Sequence, residues 1–238
     1  MPMNLNDVAG HTAETRFLAR TSGPQVVADE IAYEVRTCAP GCPRALFDVR
    51  RLADTVIREI ENSSLPQAVL RRAVGPVLRH DKLCVSISGC LNSCSQPQIA
   101  DFGVQGRARP ALGVGVCTGC GKCEGACRKG AVRVCSGHPR LDLGQCANCG
   151  DCASVCPAQA LVVGQSGYSV LIGGKLGRDP QLARTLATFA DEATLLAAMR
   201  VACDLFSNAL QPRERLADAV NRITVDEIAR LCAERVNV

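Results

Sequence analysis

Aromatic side chains are scarce in this sequence. Its 238 residues include no Trp, two Tyr and five Phe, and the net charge of +4 is spread along the chain without a long run of like charges. Proteins that bind nucleic acid usually present a concentrated basic patch, often with aromatic side chains that stack on bases. The sequence therefore gives no indication of nucleic-acid binding.

Long apolar runs are also missing. No stretch approaches the roughly 18 to 20 uncharged apolar residues that a membrane span needs. The first ten residues, MPMNLNDVAG, show neither the basic nor the apolar region of a secretory signal. No Walker sequence or G-x-G-x-x-G turn occurs, so nucleotide binding is not indicated. We expect a cytoplasmic protein without a membrane span.

Cysteine, in contrast, is abundant, with 16 residues. In a secreted protein this number suggests disulfides, but C-x-x-C runs in a reducing compartment are typical of metal ligands. Cys203 and Cys232 lie in helical apolar patterns and are interpreted as small core residues. The three histidines form no ligand-spaced cluster.

Helical periodicity is clearest in the first third of the chain. Apolar residues from Asp48 to Ile60 follow the i, i+3, i+4, i+7 spacing of a one-faced helix. Ser64 is a candidate cap for a second helix that has Pro66 in its first turn. Residues 1–37 are mixed in composition and low in core material, which predicts an N-terminal segment rather than a domain.

Strand patterns flank a segment of different composition. Between residues 113 and 164, Cys, Gly, Ala and Val dominate, so this segment is predicted to be an insertion. Three strand candidates lie around it: Lys82–Ser88, Ile99–Gln105 and Gly167–Gly174. After Asp179-Pro180 the pattern is mostly helical, and it ends in a helix with a capping box at Thr224.

The predicted fold is α+β. Strands on both sides of the insertion, with helices before and after, indicate one domain that a second module interrupts. The predicted boundaries are residues 38–112 and 165–238 for the main domain, and 113–164 for the inserted module.

The insertion contains one cysteine pattern twice. Cys117-x2-Cys120-x2-Cys123-x3-Cys127 is followed, 18 residues later, by Cys146-x2-Cys149-x2-Cys152-x3-Cys156-Pro157. In bacterial two-cluster ferredoxins, three closely spaced thiolates bind one 4Fe–4S cluster, and the fourth, expected to start the next helix, ligates the other. The predicted ligand sets are Cys117, Cys120, Cys123 and Cys156 for the first cluster, and Cys146, Cys149, Cys152 and Cys127 for the second. The alternative, a pair of zinc sites, fits less well because zinc modules use separated cysteine pairs.

Charged residues differ between the two runs. Lys122, Arg128 and Lys129 lie near the first run, and Asp151 lies near the second. Positive charge near a cluster favours its reduced state, so the two potentials are expected to differ. The alternative is that these residues are ordinary solvated charges.

A second cysteine motif precedes the insertion. Ser86-Ile-Ser-Gly-Cys90-Leu-Asn-Ser-Cys94-Ser-Gln-Pro-Gln-Ile-Ala-Asp-Phe-Gly103 resembles the cluster and siroheme motif of the sulfite and nitrite reductase family. Gly167–Arg178 resembles the strand and glycine loop that follow it there. A ferredoxin module between these segments is similar to dissimilatory sulfite reductase subunits and to the siroheme subunit of anaerobic sulfite reductase.

The resemblance implies a third 4Fe–4S cluster. In the family, two cysteine pairs hold it, and the last thiolate also bridges to the siroheme iron. The expected ligands here are Cys38, Cys42, Cys90 and Cys94, with Cys94 as the bridge and Cys84 as a substitute for either of the first two. Two departures from the family are the C-x3-C spacing of the first pair, where C-x5-C is usual, and Leu91 in place of proline. The alternative is a set of buried thiols without a cluster.

The resemblance also implies siroheme contacts, which are expected at Cys94, Asn92, Lys175 and Arg178. The family's N-terminal ferredoxin-like half-domain, which supplies basic residues for siroheme and the anionic substrate, is not recognisable here. Before Cys38 the sequence has only three arginines: Arg16, Arg20 and Arg36.

Three functional hypotheses follow. The first is an electron-transfer subunit of a larger redox enzyme, with a partner subunit and an electron donor protein, or with self-assembly. The second is a compact siroheme-binding sulfite or nitrite reductase, its cofactor carboxylates held by Lys82, Arg107, Arg109, Lys175 or Arg178. The third is a structural or maturation protein that carries clusters without turnover. The sequence identifies no catalytic residue and neither substrate nor donor.

Overall fold

The computed structural model describes residues 25–236, with side chains of 27–29 excepted. These residues form eight strands: β1 Gln25–Asp29, β2 Tyr33–Thr37, β3 Leu83–Ser88, β4 Phe102–Leu112, β5 Val132–Cys135, β6 His138–Leu141, β7 Leu161–Ile172 and β8 Arg184–Ala190. They also form seven α-helices: α1 Val49–Glu61, α2 Leu65–Arg72, α3 Lys122–Ala126, α4 Asp151–Ser154, α5 Glu192–Asp204, α6 Leu216–Ile223 and α7 Val225–Val236. None of these helices is long and apolar enough to cross a membrane.

Six strands form one mixed sheet in the order β1-β2-β3-β4-β7-β8. β2 runs parallel to β3, and β3 runs parallel to β4. The remaining neighbours, β1 with β2, β4 with β7 and β7 with β8, are antiparallel. The sheet is therefore parallel only in its middle, and strands that are far apart in sequence end side by side there.

The two faces of β3 differ because side chains alternate along a strand. Leu83, Val85 and Ile87 are buried in the main core, together with apolar residues of α1, α5 and α7. On the other face, the Ser86 hydroxyl donates to the Ser95 carbonyl at 2.5 Å, and the Ser88 and Ser95 hydroxyls are 2.7 Å apart. One face of the sheet thus holds the hydrophobic core, and the other holds a polar loop.

Helix α1 confirms the periodicity read from the sequence. Asp48 is its N-cap, and the carboxylate accepts hydrogen bonds from the backbone N–H groups of Arg50 and Arg51 at 2.9 and 3.1 Å. The buried stripe of α1 consists of Val49, Leu52, Ala53, Val56 and Ile60. This stripe packs in the main core, to which Cys203 and Cys232 also belong, as predicted.

The structure corrects two expectations about secondary structure and adds a strand to a third. Residues 25–37 are not poor in core material, because they form β1 and β2, and Tyr33 and Val35 are buried. The strand expected at Ile99–Gln105 starts later, at Phe102, because Gln96 adopts a left-handed conformation and Pro97–Ile99 forms a 3₁₀ turn. The segment after Asp179-Pro180 is mostly helical, as predicted, but Arg184–Ala190 also pairs with β7 as β8.

The cysteine-rich segment lies between two long antiparallel strands. β4 and β7 pair from Phe102–Ile172 at one end to Leu112–Leu161 at the other. The segment that follows β4 contains the β5–β6 hairpin and the two short helices α3 and α4. Its own small core consists of Cys123, Val132, Cys152 and Leu161, separate from the main core. The domain boundaries predicted at residues 113 and 164 remain a prediction.

Replacement of Leu52 by Ala tests the main core. Leu52 is fully buried, so the substitution should lower the free energy of unfolding by about 2 to 5 kcal/mol through lost burial and a cavity. Leu70→Ala is the matched control, because Leu70 is 52% exposed and loses the same atoms. Anaerobic urea unfolding would measure both changes. Equal effects of the two substitutions would contradict the assignment of α1 to the core.

Candidate metal centres

The parallel pairing of β2 and β3 brings two cysteine-containing loops together at the carboxyl ends of these strands. Thr37 pairs with Ile87 at the ends of these strands, and the Cys38 N–H donates to the Ile87 carbonyl at 3.1 Å. The Gly89 N–H in turn donates to the Cys38 Sγ at 3.3 Å. The loop after β2 and the loop after β3 therefore start as immediate neighbours.

These two loops line one cavity, and its wall contains all four cysteines expected to hold the third cluster: Cys38, Cys42, Cys90 and Cys94. Cys38 is buried and Cys94 is exposed, so one side of the cavity is shielded from water and the other is accessible to solvent. Burial raises the pKa of the Cys90 thiol and the Asn92 N–H lowers it, while negative charge on the other three cysteines raises it further. The four sulfur atoms are thus close enough to influence each other.

The loop from Cys90 to Gln96 is fixed by polar contacts that the sequence reading missed. Ser93 has φ 56° and Gln96 has φ 62°, both in the left-handed region that few side chains adopt. The Ser93 hydroxyl accepts hydrogen bonds from the Nε2 atoms of Gln98 and Gln105 at 2.9 and 2.6 Å. The sequence signal for these contacts was the Gln96-Pro97-Gln98 segment after Cys94. Gln98, its second glutamine, stabilises the cysteine loop.

Cys84 does not join this group. It lines a different cavity, on the polar side of the sheet, with Arg36, Arg79 and Arg215 among its neighbours. Its N–H donates to the buried Asp101 carboxylate at 3.0 Å, and burial raises the pKa of its thiol to about 12. The structure therefore separates Cys84 from the four cysteines for which it was a possible substitute.

The first ferredoxin-like ligand set lines a cavity of its own. Its wall includes three cysteines of the first run and one of the second, namely Cys117, Cys120, Cys123 and Cys156. Burial raises the pKa of the Cys123 thiol, and negative charge on Cys156 contributes in the same direction. Cys156 thus lines the same cavity as three cysteines of the first run, and its ligation of their cluster remains a prediction.

The cysteines expected as the second ligand set influence one another electrostatically. Burial raises the pKa of the Cys152 thiol to about 11, and negative charge on Cys146, Cys149 and Cys127 adds to the rise. Backbone N–H groups already point at two of these sulfur atoms, from Ala131 to Cys127 at 3.2 Å and from Asn148 to Cys146 at 3.3 Å. Such donors stabilise the charge of a ligated thiolate.

The repeat is visible in the backbone. Gly121 and Gly150 have φ values of 69° and 78°, and each begins a short helix, α3 or α4. Glycine suits these left-handed turns because it has no Cβ. One detail of the prediction is wrong: Cys127 and Cys156 follow α3 and α4 and do not start a helix.

The second cysteine run is attached to the main sheet. The Ala108 N–H of β4 donates to the Asn148 carbonyl at 2.8 Å, and Arg107 Nη1 donates to the Ala147 carbonyl at 3.1 Å. Arg44, two residues after Cys42, donates from Nη1 to both carboxylate oxygens of Asp151 at 3.1 and 3.2 Å. These contacts place the second run beside the loop that carries Cys42, a proximity that spacing alone did not indicate.

The basic residues considered for siroheme are mostly engaged elsewhere. Lys175 is buried, and its Nζ lies 2.6 Å from Asp218 Oδ1 and 3.3 Å from Asp179 Oδ2. Arg107 binds the Ala147 carbonyl, and the Arg109 guanidinium stacks on Phe189 at 4.6 Å from the ring centre. Arg178 is exposed, and so is Asn92 beside the Cys94 cavity.

Among residues 25–236, no three His, Cys, Asp or Glu side chains are placed to share a single metal ion. The cysteine groups are instead arranged around cavities, each with thiols on several sides.

A family model described as the nitrite and sulphite reductase 4Fe-4S domain matches residues 30–238. The chain belongs to this family. Membership of a 4Fe–4S domain family supports at least one such cluster in this nitrite and sulfite reductase-like domain. The matched range begins before β2 and includes the cysteine-rich segment.

Individual relatives support the same family. Coenzyme F420-dependent sulfite reductase of Methanocaldococcus jannaschii is 31% identical over 178 residues, which cover 74% of this chain and 26% of that protein. An uncharacterized protein of the same organism is 29% identical over 91 residues, 38% of this chain and 28% of its own length. The chain thus spans about a quarter of the length of these relatives.

Among solved structures, dissimilatory sulfite reductase I has a similar fold, with a TM-score of 0.59. The match covers 84% of this chain and 52% of that chain at 18% identity. At this identity the similarity concerns the fold alone.

Replacement of Cys156 by Ser tests the crossed ligand sets. Cys156 shares a cavity with Cys117, Cys120 and Cys123, so the substitution should damage the cluster of the first run, about 30 residues away in sequence. Cys127→Ser is the matched control and should damage the cluster of the second run instead. Electron paramagnetic resonance of the reduced protein would distinguish the two signals. Loss of the signals in the reverse order would refute the crossing.

Replacement of Cys90 by Ser tests the third ligand set against Cys84. Cys90 lines the cavity with Cys38, Cys42 and Cys94, whereas Cys84 does not. Cys90→Ser should therefore remove or convert one cluster, at a cost of about one to four iron atoms per chain, and Cys84→Ser should leave the iron content unchanged. Iron and acid-labile sulfide analysis gives the answer. A loss of iron in Cys84→Ser would restore this residue as a ligand.

Proposed function

We propose that this chain is the iron–sulfur electron-transfer part of a larger redox enzyme related to sulfite reductases. It would carry three 4Fe–4S clusters. Two would lie in a ferredoxin module inserted between β4 and β7, and one between the loops that follow β2 and β3. When bound, such clusters accept and release single electrons. The proposed direction is from an electron donor through the ferredoxin module to the third cluster, and from there to a site in a partner.

The observation that carries the proposal is the grouping of twelve cysteines into three sets of four. Two sets are combined from both cysteine runs, and the third is combined from the loops after β2 and β3. Four thiolates around one cavity are the ligand set of a 4Fe–4S cluster. A chain that gathers three such sets within one small structure is suited to electron transfer between them.

The protein's own residues contribute three things to this function. Cys38, Cys123 and Cys152 are buried, so one side of each site is shielded from water. Backbone N–H groups donate to Cys38, Cys127 and Cys146, and such hydrogen bonds to sulfur raise cluster potentials. The Arg44–Asp151 pair holds the second cysteine run against the loop of Cys42. The ferredoxin module is thereby oriented with its second run toward the sheet.

The sulfite reductase relatives favour a second candidate, a compact siroheme-binding reductase. Cys94 is exposed at the edge of its cavity beside exposed Asn92, as a thiolate that bridges to a siroheme iron would have to be. The basic residues fit less well, because Lys175 is already paired with two carboxylates and Arg109 with an aromatic ring. We therefore propose that any siroheme or substrate site requires residues of a partner subunit or of a second copy.

Protein purified without oxygen should contain about 12 iron and 12 acid-labile sulfide atoms per chain, the sum of three cubane clusters. It should show the broad brown absorption of iron–sulfur clusters without the intense Soret and red bands of siroheme. Iron and sulfide analysis with an absorption spectrum would measure both. Expressed alone, the chain should not reduce sulfite or nitrite with a strong artificial donor.

Two results would contradict the proposal in different ways. A reproducible content near eight iron atoms would remove the third cluster and the path from the ferredoxin module to the sheet. A monomer that holds one equivalent of siroheme and reduces sulfite would favour the compact reductase instead. Sedimentation of the same sample would establish whether the active species is a monomer.

A further inference from the structure

The β5–β6 hairpin presents two arginines on its outer face. Arg133 and Arg140 are direct cross-strand partners and both are exposed. Like charges in this position destabilise an antiparallel pair. Neither arginine has an ion-pair partner among residues 25–236, and the neighbouring outward pair, Cys135 and His138, supplies no negative charge. The hairpin therefore keeps an unfavourable charge pair that an acidic partner would relieve.

The inner face of the same hairpin covers the first cluster cavity. Val134 and Pro139 lie between the arginines and the hairpin turn, and both line the cavity that contains Cys117, Cys120 and Cys123. Successive side chains of a strand point to opposite faces, so one layer of backbone separates the two arginines from this cavity. A partner bound on the outer face would lie close to the first cluster.

Lys122 extends this basic surface at the rim of the cavity. It is exposed, it lines the cavity beside Cys120, and Cys120 is itself exposed. Arg128 and Lys129 are exposed as well, in the turn after α3. We call the outer face of the hairpin, which carries Arg133 and Arg140, the hairpin surface.

The inserted segment contains five basic and three acidic residues, so its acidic residues offset the positive charge only in part. Glu124 accepts the Val134 N–H at 2.7 Å, Asp142 accepts the Gly144 N–H at 2.9 Å, and Asp151 binds Arg44 of the main domain. Glu124 and Asp142 are exposed, but backbone N–H groups hold them rather than Arg133 or Arg140, so the segment keeps a net positive charge. The hairpin forms a two-stranded sheet of its own over the cavity of the first run.

We propose that the hairpin surface is the docking site for the acidic face of a one-electron donor protein. This inference rests on the proposed function and adds the surface and the chemistry of the partner. In each encounter the donor is oxidised by one electron and this chain is reduced by one. The contact is electrostatic, as is common for small transient redox interfaces, so salt weakens it.

The test uses the anaerobically purified full chain and, as probe, a plant-type 2Fe–2S ferredoxin, a small acidic electron carrier. Titration calorimetry at about 20 mM salt should detect binding that weakens roughly tenfold near 200 mM. Arg133→Glu/Arg140→Glu should weaken binding roughly tenfold or more at low salt. Arg50→Glu/Arg71→Glu changes the net charge equally at two exposed helix positions and should leave the affinity within about twofold of the unmodified protein.

A single variant separates docking from folding. Arg140→Glu places opposite charges in the cross-strand pair with Arg133, so the melting temperature should be unchanged or higher while ferredoxin binding weakens. A purely structural role for Arg140 would lower the melting temperature and leave binding intact. Basic cytochrome c, a one-electron protein of opposite charge, should not bind the unmodified chain.

Three results would overturn the inference: no ferredoxin binding at low salt, equal weakening by the hairpin and helix double variants, or equal binding of cytochrome c. Failure of the proposed function is seen separately. Iron content and reduction by dithionite test whether the chain holds working clusters, and neither measurement depends on a protein donor. Iron content must also be the same in all variants, so that weaker binding is not caused by cluster loss.

Discussion

The register of β2 against β3 decides where the candidate metal site between the loops that follow these two strands can form. Because the two strands are parallel and end together at Thr37 and Ile87, the loops that follow them start within hydrogen-bond distance. Cys38 and Gly89 meet there through an N–H to sulfur contact of 3.3 Å. A shift of one residue would turn Cys38 to the other face of the sheet. The buried apolar residues of β3 fix that register, so core packing positions the cysteines.

The same sheet determines how the cysteine-rich segment is presented. β4 and β7 continue their antiparallel pairing as far as Leu112 and Leu161, which anchors both ends of the segment. A two-stranded connection alone would allow rotation, but Ala108 binds the Asn148 carbonyl and Arg44 binds Asp151. The second cysteine run is held on the sheet side by these contacts. In the first run, Cys120 is exposed, while Gly125 and Ala126 line a cavity with the residues that follow Cys42.

The sequence allowed good prediction wherever a short local pattern determined the structure. The cysteine spacing predicted which thiols share a cavity, and the apolar spacing of α1 predicted its buried face. Strands β1, β2 and β8 were missed; β2 is stabilised by pairing with the distant β3, and β8 by pairing with β7. The attachment through Arg44 and Asp151 joins residues 107 positions apart, which no periodicity can show. Cys84 has a plausible spacing from Cys90, but strand alternation turns it away.

The burial of the cysteines in the three sets agrees with the proposed electron relay. Each of two sets combines a buried cysteine with an exposed one: Cys123 with Cys120 in the first, and Cys38 with Cys94 between the loops that follow β2 and β3. The second ferredoxin set has no exposed member among its four, and its Cys149 lines a cavity with the residues that follow Cys42. A chain that passes electrons from one protein to another needs an open site at each end and a shielded site between them. Exposure shortens the distance to a partner, whereas shielding protects the middle site from oxidants and water. The distribution of exposed thiols, with one in each of two sets and none in the third, is compatible with the proposed relay.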